Sequence, residues 1–594
     1  MRRALIALVA LAVVWALAVV LTGGLDFRPY GIPFKSTDPD RAVALALILA
    51  LAYVLAYRED ARSHASGVMA LGAAVRQFVD ARAGLIAFAM AGGVFVVGVV
   101  YGQHVAGGSD SYGYVSQADL WLEGDLVVEQ PIVQKVPWPD ARWSVTPLGY
   151  RPTDDGRAMV PTYSYGLPVL MALGKLIAGM CGLYLVAPLL GALTVGMTYV
   201  LGAQVWSRIV GVAAAALMAT SPVLLFMQVS QMSDAPVSGL FAAALVLSLS
   251  RLRGAAFWTG AVVSLAIFVR PNLAPLGAIF LGWFIVRAAD WRHRARAALW
   301  FGAGGFPLVA VGAITNALVH GAPWKSGYGP LHAYYSWLYP PENVRLYGLW
   351  LLENETPFVV LLAVPLLMLR RIDAECRARI QYLAAFAAGV GLCYLFYTPY
   401  DAWWYLRFYL PAFPVMFVLA VIGMRQLLGR LPAPPRLIAF ATVIGVVLIV
   451  RTHQVQRQGI LQLWEAGAVY TSAAEYVRTK LPSNAVILTV QHSGSIRYHG
   501  ERFTVRWDWI GPEWWPRALH VLRDLGYRPY LLVSRFEEDQ LRRQFSWSDA
   551  DDAPGTILAE TPGPFGVVLY DPFREHVTPR EQMPTVVSCP CSGR

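Results

Sequence analysis

The sequence predicts a polytopic α-helical membrane protein of about 13 transmembrane helices, followed by a smaller extracytoplasmic α/β domain. Of the 594 residues, 56% are hydrophobic and only 14% are charged, whereas soluble domains carry about 25% charged residues. Apolar runs approaching the ~20 residues that a membrane helix needs recur up to residue 451. Residues 453–594 lack such runs and have a soluble composition.

Thirteen apolar runs are candidate spans. They are 4–22, 41–57, 84–104, 182–203, 209–226, 235–250, 255–269, 272–287, 297–319, 350–369, 380–398, 409–425 and 437–451. The first run exceeds the roughly 7–15 apolar residues of a signal-peptide core, so we predict a retained span. Cleavage after Ala16-Leu17-Ala18 is the alternative.

Arginines in short loops predict the orientation of the spans, because basic loops stay in the cytoplasm. With Arg2 and Arg3 inside, every second loop is basic. These loops contain Arg58, Arg62, Arg76, Arg82, Arg208, Arg251, Arg253, Arg287, Arg292, Arg294, Arg296, Arg370, Arg371, Arg377, Arg379, Arg425, Arg430 and Arg436. The net charge of +10 therefore reflects topology and does not indicate a nucleic-acid partner.

The chain divides into a membrane domain, 1–452, and a C-terminal domain, 453–594. In the C-terminal domain, 486–490, 530–533 and 566–570 read as strands and 515–525 reads as a helix, which is typical of an α/β domain. No nucleotide-binding or zinc-protease motif occurs there. The five cysteines of the chain show no disulfide framework or zinc-ligand spacing.

Asp110 is the most informative single residue. It follows the apolar run that ends near Val105 and opens the outer loop 105–163, in Gly108-Ser109-Asp110-Ser111-Tyr112. One interpretation is a helix N-cap, formed by Ser109 or by Asp110 itself. The other is a general base, because an apolar cavity disfavours the charged form of a carboxylate and makes it a stronger proton acceptor. The two roles are compatible.

A second carboxylate, Asp234, lies at another outer boundary. It either caps the helix that begins at Ala235-Pro236, where an early proline is favoured, or acts in the same cavity as Asp110. Two arginines on the outer side, Arg270 and Arg407, run against the charge bias. Bidentate contacts with a phosphate would explain them, and snorkelling toward the interface is the alternative.

Further outer side chains complete the candidate site. The predicted substrate-binding residues are Ser109, Tyr112, Arg270, Lys325, Asp401 and Arg407, and the predicted catalytic residues are Asp110 and Asp234. The rings that precede Arg407 suit an interface belt. His104, His320 and His332 leave room for a divalent metal, although no spacing supports a metal site and packed or solvated histidines are favoured.

This set of residues suits group transfer from a lipid phosphate. Cations stabilise the charge that grows on a departing phosphate. A carboxylate base can activate an acceptor on the opposite face of the sugar. That geometry inverts the anomeric carbon, by analogy with inverting glycoside hydrolysis.

The sequence also resembles the GT-C class of integral-membrane glycosyltransferases, in particular the bacterial relatives of protein O-mannosyltransferases and of the aminoarabinose transferase that modifies lipid A. The resembling motifs are Gly108-Ser109-Asp110-Ser111-Tyr112, Tyr163-Ser164-Tyr165-Gly166-Leu167-Pro168-Val169-Leu170, Ser233-Asp234-Ala235-Pro236, Val269-Arg270-Pro271-Asn272 and Trp404-Tyr405-Leu406-Arg407-Phe408-Tyr409-Leu410-Pro411-Ala412. With the span pattern, these motifs cover most of 84–452. Two spans precede the loop in excess of the family pattern, and the C-terminal domain has no assigned counterpart.

The resemblance implies a polyprenyl-phosphate-linked sugar donor and a catalytic aspartate in the first large outer loop, which is Asp110 by position. It implies an active site on the periplasmic face of the bacterial cytoplasmic (inner) membrane. The acceptor stays open among a glycan, a lipid and a protein. A transporter or flippase of lipid-linked glycans is the alternative, but it should show internal repeats and mid-membrane charges. A sensor or assembly protein built around 453–594 is a third hypothesis.

Overall fold

A computed structural model describes residues 58–431, 433–547, 554–563, 565–573 and 580–584, with scattered residues between 7 and 49. The predicted spans 4–22 and 41–57 lie largely outside the described residues, as do Arg2 and Arg3. In chain order the α-helices are Arg58–Val100 (α1), Asp110–Glu123 (α2), Ala141–Ser144 (α3), Gly166–Val205 (α4), Arg208–Ala219 (α5), Pro222–Gln228 (α6), Asp234–Ser248 (α7), Ala255–Val269 (α8), Leu276–Arg287 (α9), Trp291–His320 (α10), Pro340–Glu355 (α11), Ala363–Leu367 (α12), Ala374–Leu395 (α13), Phe413–Leu428 (α14), Ala433–Arg457 (α15), Leu463–Lys480 (α16), Ser493–His499 (α17), Trp515–Asp524 (α18) and Glu538–Phe545 (α19).

Strands are short and fall into three sheets. They are Leu25–Phe27 (β1), Phe34–Ser36 (β2), Val128–Glu129 (β3), Tyr150–Pro152 (β4), Ala158–Pro161 (β5), Ala485–Leu488 (β6), Phe503–Val505 (β7), Arg528–Ser534 (β8), Thr556–Glu560 (β9), Val567–Asp571 (β10) and Glu581–Gln582 (β11). β1 pairs with β2, and β5 lies between β3 and β4 in the outer loop. The third sheet has the order β11-β9-β10-β8-β6-β7.

Six helices of the described part are long and apolar enough to cross a membrane. They are Arg76–Val100, Gly166–Val205, Trp291–His320, Ala374–Leu395, Trp403–Leu428 and Arg436–Arg457. The number rises to eight if the bent pairs α5–α6 and α11–α12 each form one span. The chain is therefore an integral membrane protein.

The predicted count of about 13 spans is not confirmed. Three predicted spans coincide with the shorter apolar helices α7, α8 and Pro271–Arg287. α7 and α8 have 15 residues each, which corresponds to about 22 Å at the α-helical rise. This is less than the ~30 Å hydrocarbon core of a bilayer.

Helix α4 consists of two helical runs joined at a break. Its run is interrupted where Ala178 and Gly179 leave helical dihedral angles, and Gly179 has a φ of 62°. Glycine adopts a positive φ without steric cost, so the break falls where the sequence can accommodate it. Ile177, directly before the break, is 86% exposed, as is typical of a side chain that contacts lipid.

Basic loops gather at one end of the helices, which we call the arginine side. Arg379 donates to the carbonyl of Gln204 over 2.6 Å, Arg287 pairs with Glu375 over 2.9 Å, and Arg425 donates to Ser207 over 3.3 Å. These contacts join loops that the charge pattern assigns to one side. We call the opposite end the Asp110 side, and the compartment that it faces stays a prediction.

The C-terminal sheet lies on the Asp110 side. Strands β6, β7 and β8 pair in parallel, and β8, β10 and β9 pair antiparallel. The predicted strands at 486–490, 530–533 and 566–570 and the predicted helix at 515–525 are found within two residues of β6, β8, β10 and α18.

The outer loop and the C-terminal sheet share one hydrophobic core. Val136, Trp138 and Val145 from the loop pack in the same buried cluster as Leu488 and Trp507. Arg497 from α17 also donates to the carbonyl of Val145. The C-terminal part beyond the predicted boundary at 452 therefore packs together with the outer loop.

One expectation about the cysteines is wrong. The sequence shows no disulfide framework, yet Cys181 at the start of the long part of α4 is disulfide-bonded. Cys376 and Cys393, near the two ends of α13, are free thiols.

Candidate active site

Four ionised side chains from distant parts of the sequence meet on the Asp110 side. Arg270 Nη1 forms an ion pair with Asp234 Oδ1. Arg407 bridges the two carboxylates: its Nη1 lies 3.7 Å from Asp110 Oδ2, and its Nε lies 3.9 Å from Asp234 Oδ1. Two carboxylates and two guanidiniums make this cluster electroneutral, so its burial is electrostatically tolerable. We call it the four-charge cluster.

Helix ends position three members of the four-charge cluster, and a 3-10 stretch positions the fourth. Asp110 is the first residue of α2, Asp234 is the first residue of α7, and Arg270 directly follows α8. Arg407 lies in the 3-10 stretch Trp403–Ala412 that leads into α14. The positive end of a helix dipole stabilises a carboxylate in the first turn, which favours both aspartates where they are.

The capping interpretation of the aspartates is not supported. The N-cap residues are Ser109 and Ser233, and neither makes a side-chain capping bond. The carboxylates of Asp110 and Asp234 face the arginines instead. Their helix-initial positions therefore orient both side chains toward the cluster.

The two carboxylates differ in how far their side chains are exposed to solvent. The side chain of Asp110 is 32% exposed, whereas that of Asp234 is 2% exposed. Arg270 and Arg407 are 15% and 14% exposed, and both guanidiniums lie over the ring of Phe408, at 5.1 and 5.4 Å. These arginines are held by carboxylates and a ring, so snorkelling does not explain them.

A large cavity of about 800 Å³ lies on one flank of the cluster. Among the described residues that line it, Arg270 is the charged one, and nearly half are aromatic. The lining includes Tyr163, Phe268, Tyr328, Tyr394, Tyr397 and Phe408. Leu392 and Trp337 also line it and are 61% and 86% exposed. The cavity therefore reaches the apolar outer surface of the helices.

A second cavity of about 410 Å³ lies on the other flank. Asp110 and Arg407 line it, together with Ser109, Gln231 and Trp404. The C-terminal part supplies the facing wall, through Tyr470, Gln491, His492, Phe536 and Phe565. The Asp110 carboxylate is thus reached from a pocket that two sequence-distant parts of the chain enclose.

Tyrosine hydroxyls link the two cavities. Tyr163 lines the large cavity, and its hydroxyl lies 2.7 Å from the hydroxyl of Ser109, which lines the small one. Burial and then the nearby Asp110 charge raise the pKa of Tyr163, so its hydroxyl stays protonated and can donate. Tyr114 donates to Ser233 over 3.0 Å beside Asp234. Of these two tyrosines, only Tyr163 lies in one of the motifs recognised in the sequence.

Three predicted substrate-binding residues lie away from the cluster. Lys325 is 55% exposed and lies 3.9 Å from the exposed Asp154. Asp401 is exposed and lines neither cavity. Tyr112 is buried, with its ring 5.5 Å from that of Tyr150. Because Gly494 of α17 packs directly against Tyr112, this tyrosine contributes to the docking of the C-terminal part.

The donor groups do not fit a metal site. Among the residues that the structure describes, no group of three or more His, Cys, Asp or Glu side chains could hold a metal ion. In the cluster, Asp110 Oδ2 and Asp234 Oδ1 already face guanidinium groups. His104 is buried, burial lowers its pKa, and its ring lies 5.5 Å from that of Tyr184. His104 therefore follows the packed interpretation, whereas His332 is exposed.

The chain is similar to known proteins in its fold. Neither a protein-family model nor a curated protein matches the chain. Among solved structures, the oligosaccharyltransferase of Archaeoglobus fulgidus, in a complex with zinc and sulfate, is 12% identical with a TM-score of 0.51, over 80% of this chain and 71% of that chain. ArnT from Cupriavidus metallidurans in the apo state is 12% identical with a TM-score of 0.47, over 87% and 100%. The same protein bound to undecaprenyl phosphate is 13% identical with a TM-score of 0.49, over 82% and 97%.

The similarity to the archaeal oligosaccharyltransferase shows a shared fold. It extends over most of the membrane part and beyond, at an identity too low to carry residue roles. The fold that the motifs predicted is thereby confirmed as one that this chain shares with the archaeal protein.

Proposed function

We propose that this chain is an integral-membrane glycosyltransferase. It moves a sugar from a polyprenyl-phosphate-linked donor to an acceptor, with inversion at the anomeric carbon and with Asp110 as the general base. The observation that carries the proposal is the four-charge cluster between two cavities, with one arginine in each cavity and the accessible carboxylate in the smaller one.

The large cavity suits the lipid-linked donor. Its aromatic wall reaches the lipid-facing surface at Leu392 and Trp337, and an isoprenoid chain is apolar. Arg270 uses Nη1 for Asp234 and keeps further donors of its guanidinium for a phosphate. The charge that grows on the departing phosphate is then met by a cation that is already in place.

The small cavity suits the acceptor. An acceptor hydroxyl beside Asp110 gives its proton to the carboxylate while its oxygen bonds to the anomeric carbon. The bond from that carbon to the phosphate oxygen breaks, and its electron pair leaves with the phosphate. Because acceptor and phosphate approach from opposite cavities, the substitution is in-line and inverts the carbon.

Asp234 and Arg407 have different tasks in this reaction. Asp234 is 2% exposed and contacts both arginines, so it acts as a positioning residue that holds them and does not take the proton. Arg407 lies beside both carboxylates, 3.7 Å from Asp110 Oδ2 and 3.9 Å from Asp234 Oδ1, and so holds the Asp110 carboxylate in place at the small cavity. No step requires a metal ion.

The arginine-rich loops indicate the side, and the resemblance to bacterial enzymes indicates the membrane. Basic loops stay in the cytoplasm, so the Asp110 side faces outward, at the periplasmic face of the bacterial cytoplasmic (inner) membrane. The partners are then the polyprenyl-phosphate sugar donor, an acceptor on that face and the surrounding membrane lipid.

Mass spectrometry of cell-surface glycans and glycoproteins tests the proposal. The strains are the parent, a deletion strain, and the deletion strain carrying the wild type, Asp110→Asn or Asp154→Asn. General-base catalysis contributes about 10²–10⁴-fold, so Asp110→Asn should leave the glycan product undetected. Asp154 is fully exposed and outside the cluster, so Asp154→Asn should restore the product.

Two outcomes would refute the proposal. Unchanged products in the deletion strain would exclude a transferase role. Full restoration by Asp110→Asn, together with loss in the deletion strain, would favour a transporter or flippase of lipid-linked glycans, because such a protein does not need this base.

A further inference from the structure

The lining of the small cavity indicates which class of acceptor it takes, an inference that rests on the proposed function. Of the described residues that line it, only Asp110 and Arg407 bear a formal charge, and they pair with each other. His492 also lines it, and burial lowers the pKa of His492 to about 3, so this ring is neutral at physiological pH. An acceptor with a full charge would therefore enter without a free counter-ion, at a high desolvation cost.

Two polar atoms of the cavity wall have no hydrogen-bond partner among the described residues. Gln231 is 1% exposed and its Oε1 accepts no hydrogen bond, while its Nε2 lies 3.5 Å from the carbonyl of Tyr184. His492 is 2% exposed and its Nδ1 is likewise unpartnered. Buried polar atoms are normally satisfied, so these two are suited to receive a ligand. Gln231 Oε1 requires a donor such as a hydroxyl.

Rings and amides make up much of the remaining wall. Trp404 stacks on Phe226 with centroids 6.2 Å apart, and Tyr470 lies 4.6 Å from His492. Gln491 holds Tyr470 through a bond of 2.8 Å from Nε2 to the hydroxyl. Apolar ring faces beside neutral donors and acceptors match a molecule that has both C–H faces and hydroxyl groups.

We propose that the small cavity binds a neutral sugar unit, whose hydroxyl is the acceptor in the transfer. Asp110 receives the proton of one hydroxyl, and Gln231 Oε1 accepts from another. The wall formed by Tyr470, Gln491 and His492 gives the C-terminal part a direct share in selecting this acceptor. The product is then a disaccharide linkage at the membrane surface, and not a modified phosphate or side chain of a protein.

Saturation-transfer NMR on the full-length protein in lipid nanodiscs tests this inference without knowledge of the donor. The neutral probes are methyl glycosides of hexoses, 6-deoxyhexoses, pentoses and N-acetylhexosamines. The charged and peptidic probes are methyl glucuronide, glucosamine, glycerol phosphate and an N-acetyl-serine amide. Variants are Gln231→Leu in the cavity and Gln134→Leu, an exposed glutamine outside both cavities, as the matched control.

At least one neutral glycoside should receive more saturation than every charged or peptidic probe. Loss of one neutral hydrogen bond should raise its Kd about fivefold in Gln231→Leu and leave it unchanged in Gln134→Leu. If Gln231→Leu is poorly folded by thermal unfolding, His492→Phe replaces it with the same expectation. Stronger binding of a charged or peptidic probe, no signal from any neutral glycoside, or an unchanged Kd in the cavity variant would overturn the inference.

The two proposals fail in different ways. If no neutral glycoside binds but the transfer product in cells still depends on Asp110, only the proposal of a sugar acceptor is refuted. The proposed transferase activity is then unaffected. A product that persists in Asp110→Asn would remove the transferase itself, whatever the glycosides do.

Discussion

Substitution by asparagine should affect stability at one carboxylate of the four-charge cluster and catalysis at the other. Asp234 is 2% exposed, contacts Arg270 directly and lies 3.9 Å from Arg407. Two unit charges about 4 Å apart attract by about 4 kcal/mol at an effective dielectric constant of 20. In Asp234→Asn, two guanidiniums remain almost buried beside each other without their shared carboxylate. Breaking a buried pair in this way costs about 3–5 kcal/mol.

Asp110 is in a different position. Its side chain is 32% exposed, and in the described part of the chain it pairs with a single arginine, at 3.7 Å. Pairs that are open to solvent contribute about 0–1 kcal/mol. Asp110→Asn should therefore unfold at nearly the wild-type denaturant concentration and still lose transfer by about 10²–10⁴-fold. Asp234→Asn should lose stability first, and activity as a consequence.

The assay is unfolding of each purified variant by a denaturing detergent, followed by circular dichroism, beside the glycan analysis in cells. Asp154→Asn serves as the control and should match the wild type in both readouts. Equal stability of Asp234→Asn and the wild type would show that Asp234 is not the electrostatic anchor of the arginines. A large stability loss in Asp110→Asn would refute its assignment as an accessible base.

Three other experiments probe the site and the core. Arg407→Lys should lose most transfer, because a lysine lacks the planar fork that reaches two carboxylates; turnover at the wild-type rate would contradict the bridging role. Undecaprenyl phosphate should slow maleimide labelling of Cys393, which lines the large cavity, in the wild type but not in Arg270→Ala; equal rates would mean that the lipid binds elsewhere. Truncation after residue 452 should make the loop 105–163 sensitive to trypsin, because its core residues lose the sheet; a protected loop would contradict the shared core.

Much of the site was predictable one residue at a time. Asp110, Asp234, Arg270 and Arg407 each stand out in the sequence, because a charge beside an apolar run needs a specific partner. Asp401 and Lys325 carry the same local signal, yet they lie outside the cluster. A boundary charge thus identifies a candidate, while the packing of the helices decides whether it points inward.

Local patterns along the chain are enough to establish that this is an integral membrane protein and to indicate the end of the helices at which the cluster residues lie, whereas the predicted number of spans is not confirmed. These properties depend on apolar length and on arginines in short loops. Arg407 bridges Asp110 and Asp234, which are 124 positions apart in the chain. This arrangement is visible only in the folded molecule. The same holds for the burial of Asp234, the accessibility of Asp110 and the turn of Tyr112 toward α17. Rotation of a helix about its axis and the approach of distant segments are set by packing, and no single stretch of sequence encodes them.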